Sequence, residues 1–321
     1  MTDKMNYRIL CKNESSVFFF NQDWWLDVVC GEENWDVVIV KKGEQIVGSF
    51  PYYTKKEYSF FSGIGMPKLT QTMGPWIKYP EGQKYVSKLS YEKEIMSELI
   101  EKLPEYDFFT QNFHHSVTNW LPFYWKGFQQ TTRYTYLLDL SLSEDSLLEN
   151  MKSSVRNKIR NAEKKLDVLN ELPLPEVYRL NEKTFVRQGL DISFSYDFFL
   201  RMDQTLVKNK RREIFVGLDE SKRAHSCLYL VWDNSAAYVH LVGEDPELRS
   251  SGAGMLLIWS AIKYAKNVLK LRWFDFEGSM LENVEAVRRS FGAVQTPYFQ
   301  VTKVNSKILK RIYNVKGLIR P

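Results

Sequence analysis

The stretch from residue 212 to residue 266 constrains the fold more than any other. Three runs rich in β-branched and aromatic residues, "REIFVGLDE", "AHSCLYLVWD" and "AAYVHLVGED", follow one another, each bounded by charged or turn residues. The third leads through "RSSGAG" into "MLLIWSAIKYAK", where Leu256, Leu257, Trp259, Ile262 and Ala265 form one apolar helix face from about Ala253 to Lys266. A helix that starts just after a strand presents unpaired N–H groups and the positive end of its dipole. Glycines there let a phosphate approach without a Cβ in the way. The glycine spacing matches neither the G-x-G-x-x-G dinucleotide fingerprint nor the P-loop. The plain alternative is that Ser250 or Ser251 caps the helix and Gly252 eases the turn, with no ligand.

Around this core the chain reads as α/β. Helical "LPEVYRLNEKTFVRQG" and "YDFFLRMDQTLVKNK" precede the three strands, and the strand "LRWFDFEGS", the helix "VEAVRRSF" and the strand "YFQVTKV" follow the long helix. The N-terminal half shows the same order. A helix is expected at "NQDWWLDVVC" with Asn21 as cap, then a hairpin at "WDVVIVKKGEQIVGSFPYYTKKEYSFF", a helix at "YEKEIMSELIEKL", and strands at "YDFFTQNFH" and "TTRYTYLLDLS". With 321 residues and 44% hydrophobic content, each half has enough apolar surface for its own core. The expected domains are residues 1–140 and 172–321, joined by a basic helical linker at 141–171. In the linker Ser143, Ser146 and Glu149 carry helix-start chemistry, and Lys152, Arg156, Arg160 and Lys164 recur every four residues. Like charges at that spacing repel by a few tenths of a kcal/mol unless an anion lies against them.

Arg249, Gly252 and Gly254 resemble the R/Q-x-x-G-x-G/A motif of the GNAT acyltransferase superfamily, and the element order over roughly 172–304 is similar to the GNAT order. "KSSVRNKIRNAEKK" looks like the basic linker of the two-domain Fem branch. "FDFEGSMLENVEAVRRSFGA" is similar to that family's late segment, through Asp275, Phe276, Gly278, Arg288, Arg289, Phe291 and Gly292. The resemblance implies two tandem GNAT-like domains, each a mixed, mainly antiparallel sheet flanked by helices. It implies acyl transfer to an amine, with acyl-CoA (acetyl-CoA) or aminoacyl-tRNA as donor and no metal. The donor would meet Arg249, Ser250, Ser251, Gly252, Ala253 and Gly254, and the backbone of Leu241, Val242 and Gly243 would face the acyl carbonyl. Arg288 and Arg289 stand where the family has lysines that handle the donor or the developing charge; arginine keeps the charge and binds phosphate in bidentate fashion but cannot deprotonate. The first domain and the cleft between domains would hold the acceptor, a small molecule, a glycan or a peptidoglycan precursor, with Tyr52, Tyr53 and Trp76 as a platform and Arg156 and Arg160 toward an anionic group. Core packing is the alternative for each of these aromatics.

Acyl transfer to an amine needs a base and oriented N–H donors rather than a covalent nucleophile. Glu277, at the end of a strand, is the first candidate base; it could equally be a surface carboxylate or an ion pair with Arg249 or Arg288. His240 is the second, against a satisfied structural histidine. Cys227 with His225 and His240 lacks a visible third partner for nucleophilic catalysis, and the adjacent His114 and His115 lack ligand-spaced company. Three unevenly spaced cysteines fit neither a disulfide framework nor a zinc cluster, which points to a reducing cytoplasm. No run of about 18 apolar residues spells a membrane segment. The net charge of +5 is uneven, with clusters that suit anionic partners such as tRNA; DNA is not expected.

Overall fold

In the computed structural model, which describes residues 2–278 and 280–315, the chain opens with α1 (Asp3–Asn13) and α2 (Asp23–Cys30). Thr2 caps α1 by accepting from the Met5 N–H. Asn21 does not cap α2. It is fully buried in a 3-10 turn and donates Nδ2 to the Gly74 carbonyl at 3.0 Å, because a buried amide must find a partner where it lies.

The expected hairpin follows as β1 (Trp35–Lys42) and β2 (Gln45–Glu57), with Trp35 opposite Tyr53. β3 (Phe61–Gly65) continues the meander and the two-residue β4 (Trp76–Ile77) pairs with β2. Then come α3 (Tyr85–Glu101), β5 (Phe108–Asn112), α4 (Leu121–Trp125) and β6 (Gln129–Asp139). Phe50, Ile95, Leu99, Phe109, Phe113 and Phe123 form the centre of this core.

The linker is two helices, not one: α5 (Glu144–Asn150) and α6 (Ser153–Glu163). Ser143 caps α5, but buried Met151 leaves the helical region at ψ 149, and the chain restarts at Lys152. Arg156 turns back to donate to the carbonyls of Leu148, Glu149 and Met151 at the end of α5; the Leu148 carbonyl also accepts from the Met151 N–H. The stripe Lys152, Arg156, Arg160 and Lys164 lies along α6 from its N-cap to its C-cap, and one of its members is spent on the end of α5.

After β7 (Asp167–Leu169) come α7 (Leu174–Arg187) and α8 (Tyr196–Lys208), then β8 (Arg212–Leu218), β9 (Ala224–Trp232) and β10 (Ala236–Glu244). α9 (Ala253–Asn267), β11 (Trp273–Asp275), α10 (Glu282–Ser290), β12 (Val294–Val304) and α11 (Lys307–Val315) complete the described chain. β7 to β10 are antiparallel neighbours, β10 and β11 are parallel, and β11 pairs antiparallel with β6. Leu230, Leu257, Trp259, Phe274, Phe276 and Phe291 fill the core beneath α9.

By contacts the chain forms two compact units, residues 134–296 and residues 1–133 with 297–321. In the latter, β3 and β5 are parallel and β5 pairs antiparallel with residues 300–304 of β12. In the former, residues 137–139 of β6 pair with β11. Residues 134–139 of β6 thus belong with the unit 134–296, and residues 297–304 of β12 with the other unit. Within each unit the strand pairing is mixed and mainly antiparallel.

Candidate functional site

β10 is where the sheet of the unit 134–296 opens. Its register against β9 shifts between Val239, opposite Leu230, and Leu241, opposite Tyr229, so His240 sits in a bulge, a device that re-aims a side chain. On its other edge β10 pairs with β11 only over residues 236–238. A cavity of about 680 Å³ begins there, and Val239, His240, Leu241 and Val242 form one wall. Ser250, Gly252 and Gly254 form a second, Thr184 and Arg187 of α7 a third, and Val287 and Arg288 of α10 a fourth.

The glycine turn is built for close approach. Residues 249–251 make one 3-10 turn, and Gly252 enters α9 at φ +80, a left-handed conformation that favours glycine. A Cβ on Gly252 would lie 3.2 Å from the Lys158 carbonyl oxygen. Ser251 Oγ accepts from the Ala253 N–H at 3.3 Å, and Ala253 is buried in the core, so neither side chain lines the cavity. Gly243 faces α7, where a Cβ would stand 2.8 Å from the Asn181 nitrogen. Arg249 lies at the cavity and donates Nε to Glu244 at 2.8 Å.

The two candidate bases meet. His240 Nδ1 and Glu277 Oε1 are 2.8 Å apart, with side chains 1% and 13% exposed. With Glu277 ionised, Nδ1 carries the hydrogen and the carboxylate accepts it, which fixes the tautomer and the orientation of the ring. The loop after β11 holds Glu277 in place. Its backbone is left-handed at φ +47, its N–H donates to Asp275 Oδ1 at 2.8 Å, and the next N–H, of Gly278, donates to Thr135 Oγ1 at 3.0 Å. The Thr135 hydroxyl in turn donates to Asp275 Oδ1.

Burial pushes the Asp275 carboxyl up to about 7, against the lowering effect of the Thr135 and Glu277 donors. Burial also pushes the Arg288 guanidinium down to about 10, while Glu277 and Asp275 act to hold its charge. Arg288 Nε has no hydrogen-bond partner among the described residues. The raised carboxyl carries a stability consequence. A group that binds its proton more tightly in the folded state stabilises fully below its unfolded pKa of about 4, and that contribution is lost as pH rises through about 7. Asp275→Asn, which keeps an acceptor for the Glu277 N–H, is expected to flatten the fall in stability between pH 4 and 7 by up to about 4 kcal/mol. Urea denaturation across that range reads it; an unchanged slope would refute the assignment.

The remaining candidates do not line this cavity. Arg289 is exposed and paired with Glu285 on α10, Arg160 is exposed on α6, and Arg156 is committed as described. Tyr52, Tyr53 and Trp76 belong to the other unit; Trp76 is 2% exposed and donates its indole N–H to Ser16 Oγ, whereas Tyr52 and Tyr53 are half-buried. Cys227 is buried with its thiol pushed up to about 12, a neutral group unsuited to nucleophilic attack. His225 pairs with Asp219 at 3.1 Å and His114 with Ser116 at 2.8 Å. Lys158, Thr184, Arg187, Glu244, Asp275 and Thr135 were not singled out for the site. Asp275 stands within the quoted "FDFEGS" motif, but no local signal joins Thr135 to a loop 140 residues away.

Residues 153–282 match the family model described as the acetyltransferase (GNAT) domain. No curated protein matches the chain. Among solved structures the chain is similar to FemX at 12% identity, covering 97% of this chain and 98% of that one with a TM-score of 0.69. A tandem GNAT protein from the clavulanic acid biosynthesis pathway is 10% identical over 94% of each chain, with a TM-score of 0.53. The C-terminal domain of a putative lysylphosphatidylglycerol synthetase from Agrobacterium fabrum is 11% identical over 91% of each chain, with a TM-score of 0.54. At these identities what is shared is the fold.

Proposed function

We propose, on the premise that the chain is a FemABX-like protein of the GNAT fold, that it transfers an acyl group from acyl-CoA to an amine. One observation carries the reading: the glycine turn at the start of α9, the open edge of β10 and His240, which Glu277 holds, border a single site. Gly252 and Gly254 leave the first turn of α9 open to a pyrophosphate, with Lys158, Arg187 and Arg249 supplying positive charge. The size of the cavity suits a small organic ligand held at one end. Main-chain N–H groups of the segment 241–243 would orient the thioester carbonyl and stabilise its developing negative charge. A C–N bond forms and the C–S bond breaks; His240, steadied by Glu277, takes the ammonium proton, and the thiolate leaves and takes up a proton. Arg288 adds positive charge beside the pair.

The acceptor is an amine on a small molecule, glycan or cell-envelope precursor, a reading supported by the Fem resemblance and by the lysylphosphatidylglycerol synthetase among the structural neighbours. A cytoplasmic setting is consistent with three free cysteines, and no helix among the described residues is long and apolar enough to cross a membrane. One feature favours a second donor, aminoacyl-tRNA: Lys152, Lys158, Arg160, Lys164 and Lys165 are all exposed on or beside α6, and Lys158 reaches the cavity. Binding through them would weaken steeply with salt.

Thermal-shift titration separates the donors. Acetyl-CoA at about a hundred times its Kd is expected to stabilise the protein by about 2.7 kcal/mol. Gly254→Leu, a good helix former whose side chain enters the cavity, is expected to abolish that gain while the free protein keeps its Tm within a few degrees. Stabilisation by charged tRNA alone would favour the second donor. Stabilisation by neither would leave the chain as a non-catalytic binding protein that retains the fold.

A further inference from the structure

Glu244 ends β10 and places a carboxylate where the donor reading puts phosphate. Its Oε2 accepts from Arg249 Nε at 2.8 Å, and its Oε1 lies 3.3 Å from the point that a Cβ on Gly254 would occupy. The carboxylate is the inner member of the ion pair, 17% exposed against 57% for Arg249. Its main chain is held, since the Glu244 N–H donates to Thr184 Oγ1 at 2.8 Å, and that hydroxyl donates in turn to the Leu180 carbonyl at 3.1 Å. Only the side chain is left to move. Burial raises its pKa, while Arg249, Arg187 and Lys158, from three different elements, favour its charge.

We infer that Glu244 is an internal anion of the phosphate subsite: it takes the place of a ligand phosphate against Arg249 and the first turn of α9, and so sets how strongly polyanions bind. The inference rests on the donor-site reading above. A helix N-terminus and an arginine attract whichever anion is nearest, and a tethered carboxylate arrives without loss of translational freedom. A phosphate brought against Arg249 and Gly254 meets a like charge at contact distance until Glu244 swings out. Glu244 thereby works as a specificity residue, admitting ligands whose phosphates outcompete it and turning away singly charged anions.

Calorimetric titration of the full chain with inorganic pyrophosphate, and separately with coenzyme A, tests this on wild type, Glu244→Gln and Glu244→Ala at low salt. Pyrophosphate is expected to bind Glu244→Gln at least about fivefold tighter than wild type, the change for removing one like charge at about 4 Å in water. The gain should shrink as salt is added and vanish in the double variant Glu244→Gln/Gly254→Leu. Should Glu244→Gln fail to fold, Glu244→Ala makes the same comparison. Pyrophosphate affinity that is unchanged or weaker in the folded variants overturns the inference, whatever coenzyme A does. Tighter pyrophosphate with no coenzyme A binding in any form leaves the inference standing and removes the acyl-CoA reading.

Discussion

In steady-state assays of amine acylation, His240→Ala is expected to lower kcat by about 10²- to 10⁴-fold with little change in donor KM, the range for losing a positioned general base. Glu277→Gln, which keeps a hydrogen bond to Nδ1 but not the charge, should cost less, about 10- to 100-fold. The double variant should be no worse than His240→Ala alone, because the carboxylate acts through the ring it holds at 2.8 Å. Were Glu277 the base and His240 its support, the order of the two single effects would reverse. His240 is buried and its loss leaves a small cavity, so Tm is recorded beside kcat, and His240→Gln serves as the polar replacement. A kcat within twofold of wild type for His240→Ala would remove the histidine from the chemistry.

The element order was legible because side-chain period changes where the structure changes. The β-branched and aromatic runs at 224–232 and 236–244, buried on both faces, and the helical repeat from Leu256 to Ala265 mark the strands and the helix face of the core. The glycine turn was legible for the same reason, since strand, turn and helix are adjacent in the chain. The pairing of His240 with Glu277 was not, although each residue was a candidate. It depends on β11 lying parallel beside β10 for three residues and then parting from it, which local pattern does not record. The assignment of β6 and β12 to the two units is hidden for a related reason. β6 and β12 present the same alternation whichever sheet they join, and the choice between near and far partners lies in tertiary packing. The basic linker was legible in its spacing but not in its use: Lys152, Arg156, Arg160 and Lys164 share α6 from its N-cap to its C-cap, yet Arg156 turns back onto the end of α5, and Lys158, off that stripe, reaches the cavity.

Gly278→Ala is expected to be the most destabilising single methyl addition in the unit 134–296, by more than about 4 kcal/mol, a size reserved for named structural faults. The added Cβ would stand 1.9 Å from the Tyr134 carbonyl oxygen, 2.4 Å from the Thr135 Cα and 2.7 Å from the Tyr134 carbonyl carbon. All three are backbone atoms, so no rotamer change relieves the clash. β6 cannot retreat freely, because Leu137 is in register with Asp275 and the Phe276 N–H donates to the Tyr136 carbonyl at 3.0 Å. If the loop moves instead, the Gly278 bond to Thr135 and the Glu277 bond to Asp275 break, and the carboxylate leaves His240. Any folded Gly278→Ala protein should therefore show the kinetic defect of Glu277→Gln together with its loss of stability. Gly217→Ala is the matched control, since its Cβ meets no atom closer than 3.5 Å and its φ is not left-handed. Urea denaturation of the two variants side by side decides the matter: a Gly278→Ala protein within about 1 kcal/mol of the Gly217→Ala control would mean that the loop is not pinned against β6.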